Sequence, residues 1–456
     1  MTTVATSTAL DTVSLHGSYI RPSIESASYK QDELEVLASK VSASASIVSN
    51  FLKHNGHPAP TLQPGGPTSF PAAPPEVVRA RSDLVMAARN LHYLALWPAE
   101  SIIWHTAIAP TDAASLHWLI HFGVFDAVPL QGTISFPELA RKCKVDLDEI
   151  ERIARYAMTN HWLCEPIPGQ VAHSSTSYLA ATDSSCRGQL HYQLEVNFPS
   201  TAKLVAAAEH RREHHDASTA FNIAFNSKQN SAMWAAENRK WAAAYAEYMK
   251  TFVRSGAFNV KHLINGYEWS SLGDANVVDV GGNTGAISIA LARAYPRLRL
   301  TTQDLEEPIN IGRSEFSAEI AHRVNFQVQN FLKPNVARNV DRFILRSILH
   351  DWPDEEAVQI LQNLKPAMKL DTKIIIMDIV ANNSGQSSMQ RKLSTYMDLN
   401  MMMMYGAEER TEKKWQELVA KVGMDIVNII TPDGSAVSLI EVVDKTDVGG
   451  LYYHSL

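Results

Sequence analysis

NVVDVGGNTG, residues 276–285, is the stretch of sequence that decides the fold class. Valines around one aspartate predict a short buried strand, and the glycines after it predict a turn where the backbone can pass close to a ligand. A helix is predicted directly afterwards, over 286–294. The turn differs from GxGxxG and no lysine follows it, so it matches a dinucleotide fingerprint or a phosphate-binding loop poorly.

The residues that follow this turn extend the same pattern. Short Val- and Ile-rich runs alternate with amphipathic helices, which is typical of an α/β fold with a Rossmann-like, doubly wound and mostly parallel sheet. Asp304 follows the second run, about 20 residues beyond the turn, where an acid can accept hydrogen bonds from ribose hydroxyls. The predicted strands are 276–280, 299–303, 326–329, 342–345, 372–377 and 436–441.

The N-terminal half is predicted to be mainly helical. Residues 31–55 and 76–121 carry apolar side chains at helical spacing. Between them, the stretch 57–75 holds seven prolines. Because proline cannot continue a helix or a central strand, this stretch predicts a linker or an extended arm.

A winged-helix pattern follows over 122–181, with short helices at 134–143 and 146–160 and then short extended pieces. Such a module can bind DNA, but its second helix starts with four carboxylates between Asp146 and Glu151. That is the wrong sign for phosphate contacts, so dimerisation or covering of substrate is favoured. The expected parts are an N-terminal arm with one helix and a Pro-rich linker (1–85), a winged-helix-like dimerisation domain (86–200), connecting helices (201–265) and the α/β domain (266–456).

The composition is that of a globular enzyme. The net charge of the 456 residues is −7 without a long basic run, which argues against nucleic-acid binding. Cys143, Cys164 and Cys186 form no CxxC pair, so neither a disulfide framework nor a metal site is expected. No apolar run approaches the ~18–20 residues of a membrane span, and the N-terminus does not resemble a secretory signal. We therefore expect a cytoplasmic protein.

His350 is the candidate general base. It lies in RSILHDWP, residues 346–353, directly after a predicted strand, and open α/β sheets bind ligands beside the carboxyl ends of their strands. A phenol, with a pKa of about 10, is a poor nucleophile until an acceptor such as imidazole removes its proton. The alternative is a structural histidine before a helix that Asp351 or Asp354 caps.

Four segments carry a family resemblance: VVDVGGNTG (277–285), TTQDL (301–305), FILRSILHDWPDEEA (343–357) and EERT (408–411). They resemble class I S-adenosylmethionine-dependent O-methyltransferases, in particular fungal enzymes acting on polyketide phenols and their plant phenylpropanoid relatives. The resemblance implies S-adenosylmethionine as cofactor, an aromatic small molecule as substrate, and a homodimer whose helical N-terminal halves exchange between protomers.

The resemblance also assigns roles to residues. It implies His350 as the base, with Asp378 and Glu409 orienting its imidazole, although Asp378 is one methylene shorter than the family's usual glutamate. Asn330 stands where the family usually has aspartate, and Asn283 where plant members often have glycine. Expected cofactor-binding residues are Asp279, Gly281, Gly282, Gly285, Asp304, Leu305, Asn330, Phe331 and Arg346; expected substrate contacts are Met401, Tyr405, Met249 and Trp352.

Alternatives remain open at this point. A methionine run such as 401–404 is more often plain core than a pocket lining. Some fungal relatives keep the methyltransferase fold but catalyse pericyclic rearrangements, and Asn330 with the methionine run leaves that reading open. A DNA-binding regulator is the second alternative, against which the acidic second helix of the winged pattern argues.

Overall fold

The computed structural model describes residues 32–63, 65–254, 256–314, 320–381 and 387–445. Its strands are β1 (Ile134–Ser135), β2 (Leu163–Ile167), β3 (Gln170–His173), β4 (Asn276–Val280), β5 (Arg299–Asp304), β6 (Val324–Val328), β7 (Arg342–Arg346), β8 (Lys373–Asp378), β9 (Met424–Ile430) and β10 (Ser438–Asp444).

The helices of the N-terminal half are α1 (Glu33–His54), α2 (Pro75–Ile103), α3 (Ala109–His121), α4 (Val124–Ala127), α5 (Phe136–Cys143), α6 (Leu147–Thr159), α7 (Ser175–Thr182), α8 (Ser184–Tyr192) and α9 (Phe198–Thr201). The remaining helices are α10 (Leu204–His214), α11 (Ala220–Phe225), α12 (Ser231–Glu237), α13 (Arg239–Arg254), α14 (Lys261–Gly266), α15 (Ala286–Ala294), α16 (Glu306–Ser314), α17 (Asp354–Leu364), α18 (Ser388–Met404) and α19 (Glu412–Ala420). Short π-helical turns (Trp104–Ile108, Gln193–Asn197) and 3₁₀ turns (Trp269–Leu272, Leu349–Asp351, Lys365–Ala367) complete the described elements.

The α/β part is built on a seven-stranded sheet of order β6-β5-β4-β7-β8-β10-β9. The first five strands are parallel, whereas β10 pairs antiparallel with both β8 and β9. The predicted Rossmann-like fold, with a mostly parallel sheet preceded by a helical region, is confirmed. The prediction missed β9, and it placed the start of the last strand two residues too early.

Both faces of this sheet are covered, as a doubly wound fold requires. Val277 packs on one face with Leu291 of α15, whereas its neighbour Val278 packs on the other face with Ile360 of α17. Because β4, β5, β7 and β8 are parallel, their carboxyl ends meet at one edge of the sheet. The glycine turn, Asp304, Arg346 and Asp378 therefore come to that edge.

The N-terminal half contains the expected winged-helix arrangement, in which α5 and α6 pack beside the three-stranded sheet β1-β3-β2. One detail of the prediction was wrong, because Ile134 and Ser135 form a strand rather than a helix start. Ser175–Thr182 is a helix that was not predicted. The helix is explained by a capping box, in which Ser174 and Ser177 bond each other's backbone N–H groups.

Contacts between the two halves include those made by α2. This helix packs against α1 and also against α18 of the α/β part. Residues 1–31 of the predicted arm lie outside the described residues, and the four domain boundaries stay predictions. Among the described helices, none is long and apolar enough to span a membrane.

Candidate active site

The glycine turn at the end of β4 is shaped by steric and hydrogen-bonding constraints. Gly281 and Gly285 have φ angles of 69° and 85°, which favour glycine, and both Gly281 and Gly282 donate backbone N–H bonds to the carbonyl of Gln303. At Gly282, a Cβ would lie 2.6 Å from Oδ2 of Asp279. A side chain at position 282 would therefore displace Asp279, which explains why the turn has glycine there.

Asp304, at the carboxyl end of β5, holds the turn from the neighbouring strand. Its Oδ2 accepts the backbone N–H of Asn283 at 2.8 Å, and its Oδ1 accepts that of Leu305 at 2.7 Å. Asn283 itself adopts φ of 52°, a conformation that asparagine tolerates better than most residues. Each carboxylate oxygen of Asp304 keeps a further lone pair, which is what ribose hydroxyls would require.

Asp279 is buried beneath the turn. Its Oδ2 accepts a hydrogen bond from the Ser288 hydroxyl at 3.1 Å. Burial raises the pKa of Asp279 to about 6, although the Ser288 bond and the charge of Arg346 act in the opposite direction. Arg346 donates from Nη2 to the Phe258 carbonyl at 2.8 Å, and its buried Nε has no hydrogen-bond partner among the residues that the structure describes. Asp279 and Arg346 thus present opposite charges beside the turn, as an amino-acid ligand end would need.

Four further predicted cofactor or substrate residues lie near this edge. Leu305 is 56% exposed, so it leaves an apolar surface beside Asp304. Asn330 uses Oδ1 to accept the backbone N–H of Leu332 at 2.9 Å. The ring of Phe331 lies close to Gly281 and contacts Trp352 edge-on, with ring centroids 5.7 Å apart. Trp352 is therefore placed beside a predicted cofactor neighbour.

His350 lies in the 3₁₀ turn after β7, close to the glycine turn because Ile348, two residues earlier, packs on Gly281. Its Nδ1 is 2.9 Å from Oε1 of the buried Glu409. This contact holds the proton on Nδ1 and leaves Nε2 as the acceptor. Burial alone would lower the pKa of His350, but nearby negative charges, with that of Glu409 first, raise it well above its ordinary value.

Two more carboxylates face the other ring nitrogen. Nε2 of His350 lies 3.6 Å from Asp351 and 4.0 Å from Asp378. Asp378 is fully buried, and neither of its oxygens has a hydrogen-bond partner in the described part of the chain. Burial raises the pKa of Asp351 to about 6 and that of Asp378 to about 7. The structure therefore separates the two predicted orienting carboxylates: Glu409 bonds the imidazole, whereas Asp378 stands on the acceptor side.

Arg410 is a residue that the sequence analysis did not single out. It is almost completely buried, and it donates to the carbonyls of Leu349 at 2.7 Å and Trp352 at 2.8 Å. It also bonds Asp354 at 3.0 Å. The guanidinium therefore fixes both ends of the turn that carries His350. Its place in the EERT segment, next to Glu409, was the available signal.

A cluster of tyrosines borders the turn that carries His350. The hydroxyls of Tyr245 and Tyr405 are 3.0 Å apart, and the Tyr192 ring lies 5.0 Å from that of Tyr245. Burial and the negative charge of Asp351 both raise the pKa of Tyr245. The cluster therefore lies near Asp351 and the adjacent His350. Met249 packs in the same cluster.

Met401 is placed differently from the other predicted substrate contacts. It is buried in the core on the α15 side of the sheet, whereas Met403 and Met404 pack with the tyrosines. The run of methionines on α18 thus divides between plain core and the tyrosine cluster. The sequence could not separate the two, because their positions on α18 differ by only two or three residues.

Known proteins resemble this chain over most of its length. A family model described as an O-methyltransferase domain matches residues 202–425. The O-methyltransferase VdtC of Byssochlamys spectabilis is 35% identical, covering 91% of this chain and 98% of its own length. The O-methyltransferase pgmB of Aspergillus terreus is 34% identical, covering 90% and 95%.

Solved structures share the fold. OxaC in complex with sinefungin and meleagrin has a TM-score of 0.73 at 22% identity, covering 91% of this chain and 100% of its own. LepI in complex with SAM has a TM-score of 0.67 at 22% identity, covering 89% and 98%. A further structure, described as a pericyclic reaction enzyme, has a TM-score of 0.66 at 23% identity, covering 80% and 93%.

Proposed function

We propose, from the premise that this chain belongs to the S-adenosylmethionine-dependent O-methyltransferase family, that it methylates a hydroxyl group of an aromatic small molecule of polyketide type. The observation that carries the proposal is the buried His350–Glu409 pair, 2.9 Å apart, at the carboxyl end of β7 beside the glycine turn. It provides a base where the cofactor and a bound phenol would meet.

The residues around the turn fit the cofactor. Gly281, Gly282 and Gly285 leave room for its methionine part, whose ammonium and carboxylate would pair with Asp279 and Arg346, and Asp304 would hold its ribose. Bound S-adenosylmethionine supplies an electrophilic methyl group on a sulfonium that is a good leaving group. The protein therefore needs to contribute mainly positioning and removal of one proton.

His350 removes that proton. Its Nδ1 is occupied by Glu409, so Nε2 accepts the phenol proton, and the resulting imidazolium is stabilised by the carboxylates around it. Asp378 and Asp351 on the Nε2 side can hold a substrate hydroxyl next to the base. Because the pKa of His350 is raised, its imidazole is protonated and idle at low pH, and activity should rise with pH through that pKa.

The tyrosine cluster is the proposed aromatic wall of the substrate site. Tyr405 and Met249 belong to it, together with Tyr245 and Tyr192. Aromatic rings and flexible methionines both pack well against a planar ligand of irregular outline. Trp352, beside Phe331, would contribute from the cofactor side, and Met401 would support the wall from within the core.

The test is transfer of labelled methyl from S-adenosylmethionine to a panel of phenolic polyketides, with S-adenosylhomocysteine quantified in the same reactions. One methylated product per S-adenosylhomocysteine is expected. The methyl ether of each accepted phenol is the matched control, because it lacks the hydroxyl. Product isomeric with its substrate and no S-adenosylhomocysteine would instead indicate a pericyclic reaction.

We also propose a homodimer, and exposed apolar side chains on α2 support it. Trp97, Ile102 and Ile103 are between 56% and 74% exposed. Single exposed apolar residues are common on protein surfaces, whereas several on one element often mark an interaction surface. Ile102→Glu should shift the sedimentation profile toward monomer. Leu370→Glu, at an equally exposed apolar site before β8, should leave it unchanged. A wild-type monomer would contradict the proposal.

A cytoplasmic location completes the proposal. Cys143, Cys164 and Cys186 are all free thiols, as is usual in a reducing compartment. Fluorescent tagging at the C-terminus would test it, with a diffuse cytosolic signal expected.

A further inference from the structure

Three side chains outside the catalytic site face one another between α3 and the π-helical turn Gln193–Asn197. His117 and His121 lie one helical turn apart on the same face of α3, and Glu195 lies on the π-helical turn. Nδ1 of His121 is 2.8 Å from Oε1 of Glu195, and Nε2 of His117 is 3.6 Å from Oε2. One possible ligand atom from each residue lies within 4.8 Å of the others.

This arrangement leaves a polar atom unsatisfied. Nε2 of His117 is buried and has no hydrogen-bond partner within the described ranges, although a carboxylate oxygen lies just beyond hydrogen-bond distance. A buried nitrogen without a partner destabilises the folded chain. A cation between His117 and Glu195 would bind the nitrogen lone pair and one carboxylate oxygen together.

We propose that His117, His121 and Glu195 form a binding site for a divalent transition metal such as Zn²⁺. Two imidazoles and one carboxylate are ligands that Zn²⁺ accepts, with water in the fourth position of a tetrahedron. A pair of histidines at i and i+4 on a helix is a spacing that binds Zn²⁺. The ligand set contains no thiolate, whereas the sequence analysis considered cysteine ligands alone and expected no metal site.

Metal binding requires the side chains to move, since the three candidate ligand atoms lie within 4.8 Å of one another. Two ligands of a tetrahedral Zn²⁺ are roughly 3.3–3.5 Å apart, given metal–ligand bonds of about 2.0–2.1 Å. The 3.6 Å contact of His117 is close to this value, and the 2.8 Å contact of His121 has to lengthen. His121 is 53% exposed, so its ring is free to turn.

The metal would join two separate elements of the fold. It would tie α3 to the π-helical turn, whose Gln193 and Asn197 bond Tyr248 and Asn400 on the other side. Because the ligands are fully assembled only in the folded chain, bound metal should stabilise that state by mass action. The test of this metal site needs no substrate, so its outcome does not depend on the proposed methyl transfer.

The experiment is equilibrium dialysis of the chelator-treated full chain against Zn²⁺, with metal content and thermal unfolding measured on the same samples. The wild type should bind one Zn²⁺ per chain at this site and unfold at a higher temperature with metal. His117→Ala and Glu195→Gln should each weaken binding at least roughly tenfold and lose the stabilisation. His210→Ala is the matched control, since His210 also pairs with a carboxylate, Asp216, at 3.0 Å on the surface.

Circular dichroism and cofactor binding show whether each variant is folded. Should His117→Ala not fold, Glu195→Gln and His121→Gln, which keep side-chain volume, decide the question. Absence of Zn²⁺ binding by the wild type would overturn the proposal. Equal binding by the wild type and the folded ligand variants, or loss in the His210→Ala control alone, would also overturn it.

Discussion

Replacing Glu409 by glutamine tests how the site activates its base. Gln keeps the shape of Glu409 and can still accept a hydrogen bond from Nδ1 of His350, so the tautomer is retained. It removes the negative charge that stabilises the imidazolium. Asp351 and Asp378 remain within 4.0 Å of Nε2, so part of the stabilisation survives.

The size of the effect follows from the contact that changes. A hydrogen bond between charged groups contributes about 1.5–3 kcal/mol, and the 2.9 Å contact is buried from solvent. Since about 1.4 kcal/mol changes a rate tenfold, kcat should fall roughly 10- to 150-fold. The pKa of His350 should also fall, because Glu409 is its leading favourable neighbour. The acid limb of the pH–rate profile therefore moves to lower pH while the plateau drops.

The assay measures kcat and kcat/KM for methyl transfer between pH 5 and 9, with cofactor affinity measured by calorimetry as the control. Glu408→Gln is the matched variant, because Glu408 is adjacent, partly exposed, and bonded to Lys414 instead of the imidazole. It should leave the profile unchanged. A Glu409→Gln enzyme with wild-type activity and an unmoved acid limb would refute this account of the base.

Three further predictions concern the cofactor site and the catalytic turn. Gly282→Ala should weaken S-adenosylmethionine binding at least roughly tenfold, because its Cβ would lie 2.6 Å from Asp279; wild-type affinity by calorimetry would contradict the steric argument. Since the pKa of Asp279 is about 6, cofactor affinity should decline as pH falls below that value and Asp279 becomes protonated. A folded Asp279→Asn variant should not show this decline. If the decline persists in that variant, another group causes it. Arg410→Ala leaves two carbonyls of the turn that carries His350 unpaired, at about 1–3 kcal/mol each, so the free energy of unfolding in urea should fall by about 2–6 kcal/mol, whereas a loss below about 1 kcal/mol would show that the turn holds without it.

Periodicity and turn chemistry predicted most of the α/β part, because buried parallel strands have little freedom in composition. Strand β9 was not predicted because it lies at the sheet edge, where Asp425 and Asn428 interrupt the apolar pattern. The edge strand is held by its pairing with β10, and a single-sequence pattern does not contain that contact.

Local motifs located the candidate site but did not show which of its residues contact one another. His350 and Glu409 are 59 residues apart, and only the fold shows that Glu409, and not Asp378, bonds the imidazole. The role of Arg410 was not predicted for the same reason, since its carbonyl partners lie about sixty residues earlier. His117 and His121 offer helical spacing alone, and Glu195 joins them only through tertiary packing.

The most direct test of the central claim compares His350→Ala with the wild type on two substrates that differ in acidity. One is an accepted phenol of ordinary pKa near 10, and the other is its nitro-substituted analogue, already ionised at the assay pH. If His350 is the base, the variant should lose at least roughly a hundredfold in kcat with the first substrate, and far less with the second. An equal loss on both substrates, with cofactor binding intact, or no loss on either, would contradict the general-base role.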